Sequence, residues 1–246
     1  MYDELAHHYD IMTNFKGKWQ KQEALWKGLI DKYEPKTLLD YGCGTGFHSI
    51  LLGSLGLEVI GVDISKDMVE QAERNRESYS DKSPVSFVKG DLNNVGEIHK
   101  RFDWIFCLGN TLAHFPDEME LKKFFILAYQ RLNPGGILWI QLLNYDKILE
   151  NRQRLIGITG DENHTFIRFN DFVHDKVKFN VLAITRDQDK YSHTWHQNPL
   201  NPITFEEIKK NLAELLLYER LDFYSDFKET PFDKKKSDNL VLLLHR

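Results

Sequence analysis

Apolar and polar positions change rhythm twice along this chain of 246 residues. Within KWQKQEALWKGLIDKYE (18–34), Leu25, Trp26, Leu29 and Ile30 recur at helical spacing, which predicts an amphipathic helix closed by Pro35. Short apolar runs then alternate with helical patterns. Strands are expected near 37–41, 58–63, 85–90 and 102–109, with helices near 46–56, from the N-cap Ser65 to about Glu77, and over 117–132. Asn133-Pro134-Gly135-Gly136 ends the last helix. ILWIQLL (137–143) is apolar at nearly every position, as in a strand covered on both faces. Such βαβα alternation predicts a doubly wound, mostly parallel sheet.

From about Asn144 the period drops to two. HTFIRFNDFVH, KVKFNVLAIT and YSHTWHQ, separated by charged turns, read as antiparallel strands. A helix near 204–217, a strand near 219–225 and a final strand, NLVLLLH (239–245), restore the earlier rhythm. Residues 144–203 thus read as an insertion, a β-rich cover over the strand C-terminal ends where such sheets bind ligands, between main-domain segments 1–143 and 204–246.

The richest stretch is LLDYGCGTGFHS (38–49). An apolar run ends in Asp40 and opens into Gly42, Gly44 and Gly46 ahead of a helical segment. Residues without side chains let the backbone approach a ligand and present N–H groups at a helix N-terminus. The next apolar run ends in Asp63, 21 positions after Gly42. A strand-end acid at that distance suits the hydroxyls of a ribose, so the pattern points to an adenosine-containing cofactor. A dinucleotide fingerprint reads G-x-G-x-x-G, whereas here Phe47 stands at the third glycine's place, which disfavours a nicotinamide dehydrogenase.

Composition narrows the classes. A net charge of −5 argues against a broad phosphate-binding surface, and Lys234–Lys236 reads as a solvated loop, so no nucleic-acid partner is expected. No run approaches the ~18 apolar residues of a membrane span. The charged, aromatic start MYDELAHHYD lacks a secretory apolar core, which leads to the expectation of a cytoplasmic protein. Cys43 and Cys107, the only two cysteines, are too few for a disulfide framework or a zinc site; no metal is expected.

DYGCGTGFHS, VDIS and GDL (90–92) together resemble the class I S-adenosylmethionine-dependent methyltransferases. Within that superfamily, CGTGFHS, FCLGNTLAHFPDE (106–118), NYDKIL (144–149) and YSDF (224–227) are similar, in the same order, to segments of the glycine and sarcosine N-methyltransferases. The resemblance implies a seven-stranded sheet with an antiparallel terminal strand. It implies S-adenosyl-L-methionine as cofactor and transfer of its methyl group to a small-molecule acceptor, foremost an amine nitrogen. An O-methyltransferase and a non-catalytic S-adenosylmethionine-binding regulatory protein stand as alternatives.

By resemblance, Gly42, Cys43, Gly44 and Gly46 would approach the methionine part of the cofactor, with Asp40 near its amino group. Asp63, with Ile64 and Met68 following it, would serve the ribose side, and Asp91 and Leu92 would flank the adenine. Leu108 would lie near the sulfonium, and Tyr9 and Trp19 would close the site. Asn110 would orient the acceptor, His114 would accept its proton, and Tyr145 and Trp195 would wall the pocket.

One position departs from that pattern. In the RNYD segment of those enzymes the arginine binds the amino-acid carboxylate, a bidentate contact. Here the place is held by Leu143, which cannot pair with an anion and disfavours glycine itself. Arg152, Arg154 and Arg168 of the cover are the cations in reach of replacing it.

Overall fold

Strands that read as near-continuous apolar runs occupy the middle of one sheet, and the alternating ones build a second. The computed structural model describes residues 2–80, 83–91, 100–173 and 176–246. Helices α1 (Tyr2–Met12) and α2 (Trp19–Tyr33) lead into β1 (Thr37–Tyr41), α3 (Phe47–Ser54), β2 (Glu58–Asp63), α4 (Lys66–Ser80) and β3 (Val85–Lys89). Next come β4 (Phe102–Cys107), a 3₁₀ turn (Thr111–His114), α5 (Glu118–Arg131), β5 (Leu132–Leu143) and α6 (Tyr145–Glu150). Strands β6 (Leu155–Gly160), β7 (His164–Val173), β8 (Lys176–Asp187) and β9 (Lys190–Leu200) follow, then α7 (Phe205–Leu215), β10 (Arg220–Tyr224) and β11 (Asn239–His245).

The main sheet has seven strands in the order β10-β11-β5-β4-β1-β2-β3, parallel except that β11 runs against both neighbours. This is the doubly wound architecture expected from the sequence. β5 begins earlier than the apolar run suggests, at Leu132, and its pairing with β4 shifts register across Asn133–Gly136. Local signals fix the helix ends. Ser65 Oγ accepts from Met68 N, Asp117 from Glu120 N, and Thr204 and Glu207 form a capping box at α7.

The second sheet, β6-β7-β8-β9, is antiparallel throughout. It does not rest directly on the main sheet along its whole inner face. Helix α1, absent from the sequence reading, lies between them: Leu5 and Met12 pack against Phe166, Val181 and Ala183 of the cover. Each such buried side chain contributes about 1.5–3 kcal/mol. The polar side of α1 turns to the main domain. There Asp10 accepts from Thr45 Oγ1 at 2.5 Å and from Asn75 Nδ2 at 2.8 Å, while Asn75 Nδ2 also donates to the Thr45 carbonyl at 3.0 Å. Thr45 and Asn75 are buried, so these bonds act away from water.

Removing this carboxylate strands the buried Thr45 and Asn75 donors. Asp10→Ala is expected to lower unfolding free energy by about 1.5–3 kcal/mol in urea titration. A change below about 0.5 kcal/mol would show that α1 is held by its apolar face alone.

Candidate functional site

A cavity of about 690 Å³ opens where β1, β2 and β4 end, bounded by α1 on one side and the last residues of β9 on another. That volume is of ligand size. The loop after β1 forms its base. Gly42 N and Cys43 N both donate to the Val62 carbonyl, at 2.8 and 3.1 Å, and Gly44 N donates to Asp63 Oδ2 at 2.9 Å. A Cβ on Gly42 would stand 2.6 Å from the Thr111 methyl, and one on Gly46 would stand 2.6 Å from the Phe87 ring; both have positive φ. Those two glycines are demanded by turn and packing. Gly44, also at positive φ, lies beside the Tyr9 ring, which a Cβ there would approach to 3.7 Å, whereas Gly46 lies outside the lining.

Two carboxylates stand at adjacent strand ends. Asp63 is oriented by Gly44 N on one oxygen and by Ser65 N on the other at 2.9 Å. These two bonds fix the orientation of both carboxylate oxygens. Beside it Ile64 is 76 % exposed in the cavity wall, an apolar platform suited to a flat ring. Met68 and Asp91 line the same end, and Leu92 lies outside the described residues. Asp40 is only 3 % exposed and accepts from Ser49 Oγ at 2.6 Å. Burial pushes its carboxyl up to about 6, with Asp63 adding repulsion and the Ser49 bond opposing. Cys43 also lines the cavity, its thiol driven well up by burial and therefore protonated.

Cations facing this space are desolvated. Lys18, not singled out by the sequence, lines the cavity with its ammonium 4.1 Å from the Phe47 ring centre. Burial pushes it down to about 8, with Asp10 opposing. Buried His48 falls to about 3, so its ring is neutral. Tyr9 rises to about 12, chiefly through burial, so its hydroxyl stays protonated.

The far side of the cavity carries Leu108, the 3₁₀ turn and the end of β9. His114 Nδ1 lies 2.9 Å from Asn198 Nδ2, and burial lowers the imidazole's pKa. With that amide as placed, Nδ1 accepts and the proton sits on Nε2; with the amide reversed the two nitrogens exchange roles. Asn110 is placed differently from expectation. It adopts the left-handed conformation, donates to the Tyr145 hydroxyl at 2.8 Å and accepts from Leu143 N at 3.1 Å, tying the ends of β4 and β5 together. Neither Asn110 nor the buried Tyr145 lines the cavity; they brace it from behind.

Two expected walls stand elsewhere. Trp19 stacks on Tyr79, centroids 5.3 Å apart, inside an aromatic group with Phe15 and Phe47. Trp195 is 63 % exposed and donates to Asn180 Oδ1 from the outer face of the cover. Strand alternation explains the difference: Asn198 is an odd number of residues from Trp195, so when one faces the cavity the other faces out. Asn198, Lys18, Tyr41 and Phe115 are lining residues that sequence reasoning missed, and parity along β9 is the signal that points to Asn198.

The cavity fits an adenosyl sulfonium amino acid: a carboxylate for a diol, an apolar platform for a base, a buried carboxylate for an ammonium and Lys18 for a carboxyl group. Among the described residues no three His, Cys, Asp or Glu groups gather as a metal site, and no helix is long and apolar enough to cross a membrane. Fold and site together define a nucleoside-cofactor transferase of the doubly wound class.

Comparison with known proteins agrees. A family model described as a methyltransferase domain matches residues 38–136. Glycine/sarcosine N-methyltransferase of Halorhodospira halochloris is 28% identical over 233 residues, covering 93% of this chain and 82% of that protein. Glycine/sarcosine/dimethylglycine N-methyltransferase of Actinopolyspora halophila is 26% identical over 228 residues, covering 90% of this chain; the chain spans 38% of that relative's length. The crystal structure of an S-adenosylmethionine-dependent methyltransferase from Clostridium acetobutylicum superposes with a TM-score of 0.79 at 21% identity, covering 99% of this chain and 98% of that one. Residues 38–136 thus carry a methyltransferase domain, and the chain has the fold of S-adenosylmethionine-dependent methyltransferases.

Asp63→Ala is expected to weaken S-adenosylmethionine binding at least ~tenfold by calorimetry, the scale of one charge-assisted contact pair; near-wild-type affinity would remove Asp63 from the ribose. A second expectation concerns pH. In the cofactor-free protein the raised Asp40 pKa favours folding most below the unfolded value of 3.8, and that contribution is lost as pH rises through about 6. Keeping the charge at neutral pH therefore costs on the order of 3 kcal/mol. Pairing with the cofactor ammonium reverses the preference, so affinity should fall as pH drops through 6. Asp40→Asn should abolish this pH dependence; a wild-type profile flat from pH 7 to pH 5 refutes the pairing.

Proposed function

We propose that this chain moves the methyl group of S-adenosylmethionine to a nitrogen of a small amine. When bound, the cofactor supplies an already activated sulfonium methyl. The chain's own task is to hold the acceptor in line and dry. Asp40, Asp63, Ile64 and Lys18 would fix the donor end, and Leu108, Phe115, His114 and Asn198 would enclose the acceptor. Such positioning can supply several kcal/mol of the barrier. An amine attacks only as the neutral base, and the same desolvation that lowers Lys18 and His114 would lower an acceptor ammonium. His114, held neutral by burial, is the proton acceptor of this reading, positioned by Asn198. Asn110 and Tyr145 act indirectly, by fixing the loop that carries His114. The observation that supports the reading most is this buried, weakly charged wall opposite Asp40 and Asp63. The names of the similar glycine and sarcosine N-methyltransferases point to nitrogen as well.

The anion problem raised by Leu143 has a candidate answer. Leu143 packs against the core. Arg154 is engaged with Asp171, and Arg152 lies over the Phe172 ring. Arg168, half-buried on the inner face of β7, has a buried Nε without a hydrogen-bond partner. Gly157 opposite makes room for its guanidinium, since a Cβ there would come within 3.1 Å of Nη2. Its charge acts on the cavity residues Tyr9 and Lys18. In this reading Arg168 receives any carboxylate the acceptor carries.

A methyl-transfer screen over small amines, amino acids and hydroxylated metabolites, read by demethylated cofactor, tests both points. Amines are expected to turn over, and Arg168→Ala should raise KM for carboxylate-bearing acceptors at least ~tenfold while neutral amines are unaffected. Turnover confined to hydroxyl acceptors would overturn the nitrogen assignment, and an unchanged KM would release Arg168.

A further inference from the structure

The cover sheet carries apolar side chains on both faces, and the molecule covers those of one. An antiparallel sheet with a solvated side alternates apolar-in and polar-out. Here the inner face, with Phe166, Val181 and Ala183, is covered by α1. The outer face carries Ile158, Ile167, Leu182 and Trp195, which the pairing register sets in a single row across β6, β7, β8 and β9. Ile184 and Phe169 stand one step to either side on the same face. Ile158 is 60 % exposed, and Ile158, Ile167, Leu182 and Ile184 belong to no interior apolar cluster of the described residues.

We propose that this outer face is the contact surface for a second copy of the chain, the two cover sheets stacking face to face about a twofold axis. A twofold contact requires a patch that complements itself, and a straight apolar row on a sheet does so when sheets stack ~10 Å apart. The area suffices. Four strands ~4.8 Å apart, with 6 residues in β6 and 10, 12 and 11 in β7, β8 and β9, present about 600 Å² per copy, reaching the ~1,000 Å² combined that a specific interface needs. The polar atoms under the row are already paired. Trp195 donates its indole N–H to Asn180 Oδ1 at 2.9 Å, and Gln197 donates to the same oxygen at 2.9 Å. Covering the row therefore strands neither of these donors, which favours an apolar occupant such as the same row of another copy over a polar ligand. The surface is turned away from the cavity, so association leaves the cofactor entrance open.

Sedimentation equilibrium of the full chain at micromolar concentration is expected to give twice the 29.0 kDa of one chain. Ile158→Glu buries one charge from each copy and should raise the dimer dissociation constant at least ~tenfold. Its circular dichroism and cofactor affinity should match wild type. Met119→Glu, in the open concavity along α5, serves as the control and should leave the mass unchanged. A single-chain mass for the wild type, a dimer that survives Ile158→Glu, or one dissociated by Met119→Glu would each overturn the proposal.

Discussion

The path of the loop between β1 and α3 is the constraint on which the rest of the molecule is built. It turns left-handed at Gly42, Gly44 and Gly46, and the end of β2 takes three of its N–H groups through the Val62 carbonyl and the Asp63 carboxylate. Because Asp63 both braces this loop and faces the cavity, the floor and the proposed ribose contact are one object. Thr45, at the loop's far side, passes the constraint outward by donating to Asp10. Helix α1 is thereby fixed over the cavity, and its other face carries the cover. Order runs from strand end to loop, from loop to helix, and from helix to second sheet.

The same enclosure sets the electrostatics. Asp40 moves up, while Lys18 and His48 move down, and burial is the leading cause each time. Each shift disfavours the charged form. The protein holds these groups at a cost that a zwitterionic ligand relieves, because its ammonium and carboxylate meet opposite charges where water has been removed. An acceptor amine entering beside His114 meets a lining of Phe115, Pro116, Asn198 and Pro199 in which Glu120 is the one acid among the described residues at that end, and desolvation there favours its neutral form. A single desolvated cavity can thus bind one charged partner tightly and neutralise another, provided most of the counter-charge sits at the donor end.

Much of this was legible in the chain. The inner strands of the main sheet could be read because burial on both faces makes them uninterrupted apolar runs, as in β5 and β11. Glycine spacing and Asp63 could be read because backbone geometry leaves few residue choices at such turns. Helix α1 could not, since its apolar residues Leu5 and Met12 serve a cover that is remote in sequence. Asn110 was expected to orient the acceptor because the segment around it, CLGNTLAH, is similar to one in the glycine and sarcosine N-methyltransferases. Here its amide is taken by Tyr145 and the backbone of Leu143, a closure that depends on how β4 and β5 end side by side. Trp195 looked like a wall because aromatic residues in a cover suggest a lining. The deciding fact is the facing of β9, and an isolated alternating segment carries no sign of which face is inside.

Topology then explains why two carboxylates so near each other behave differently. β1 is the strand from which the sheet winds both ways, with β2 on one side and β4 on the other, so ligands gather at its C-terminal end. Asp40, within that central strand, is flanked by both neighbours and shut from water, and its charge is costly unless a cation arrives. Asp63 ends the next strand, one step off the switch, where loop N–H groups reach it from two directions. Those bonds orient both of its oxygens, and in the proposed reading it faces the neutral hydroxyls of the ribose. Exchanging their places would put the acid held by loop N–H groups against the ammonium and leave the buried acid, held by Ser49, to face a sugar. The order of strands therefore assigns the chemistry of the two acids, before any side chain of the ligand pocket is considered.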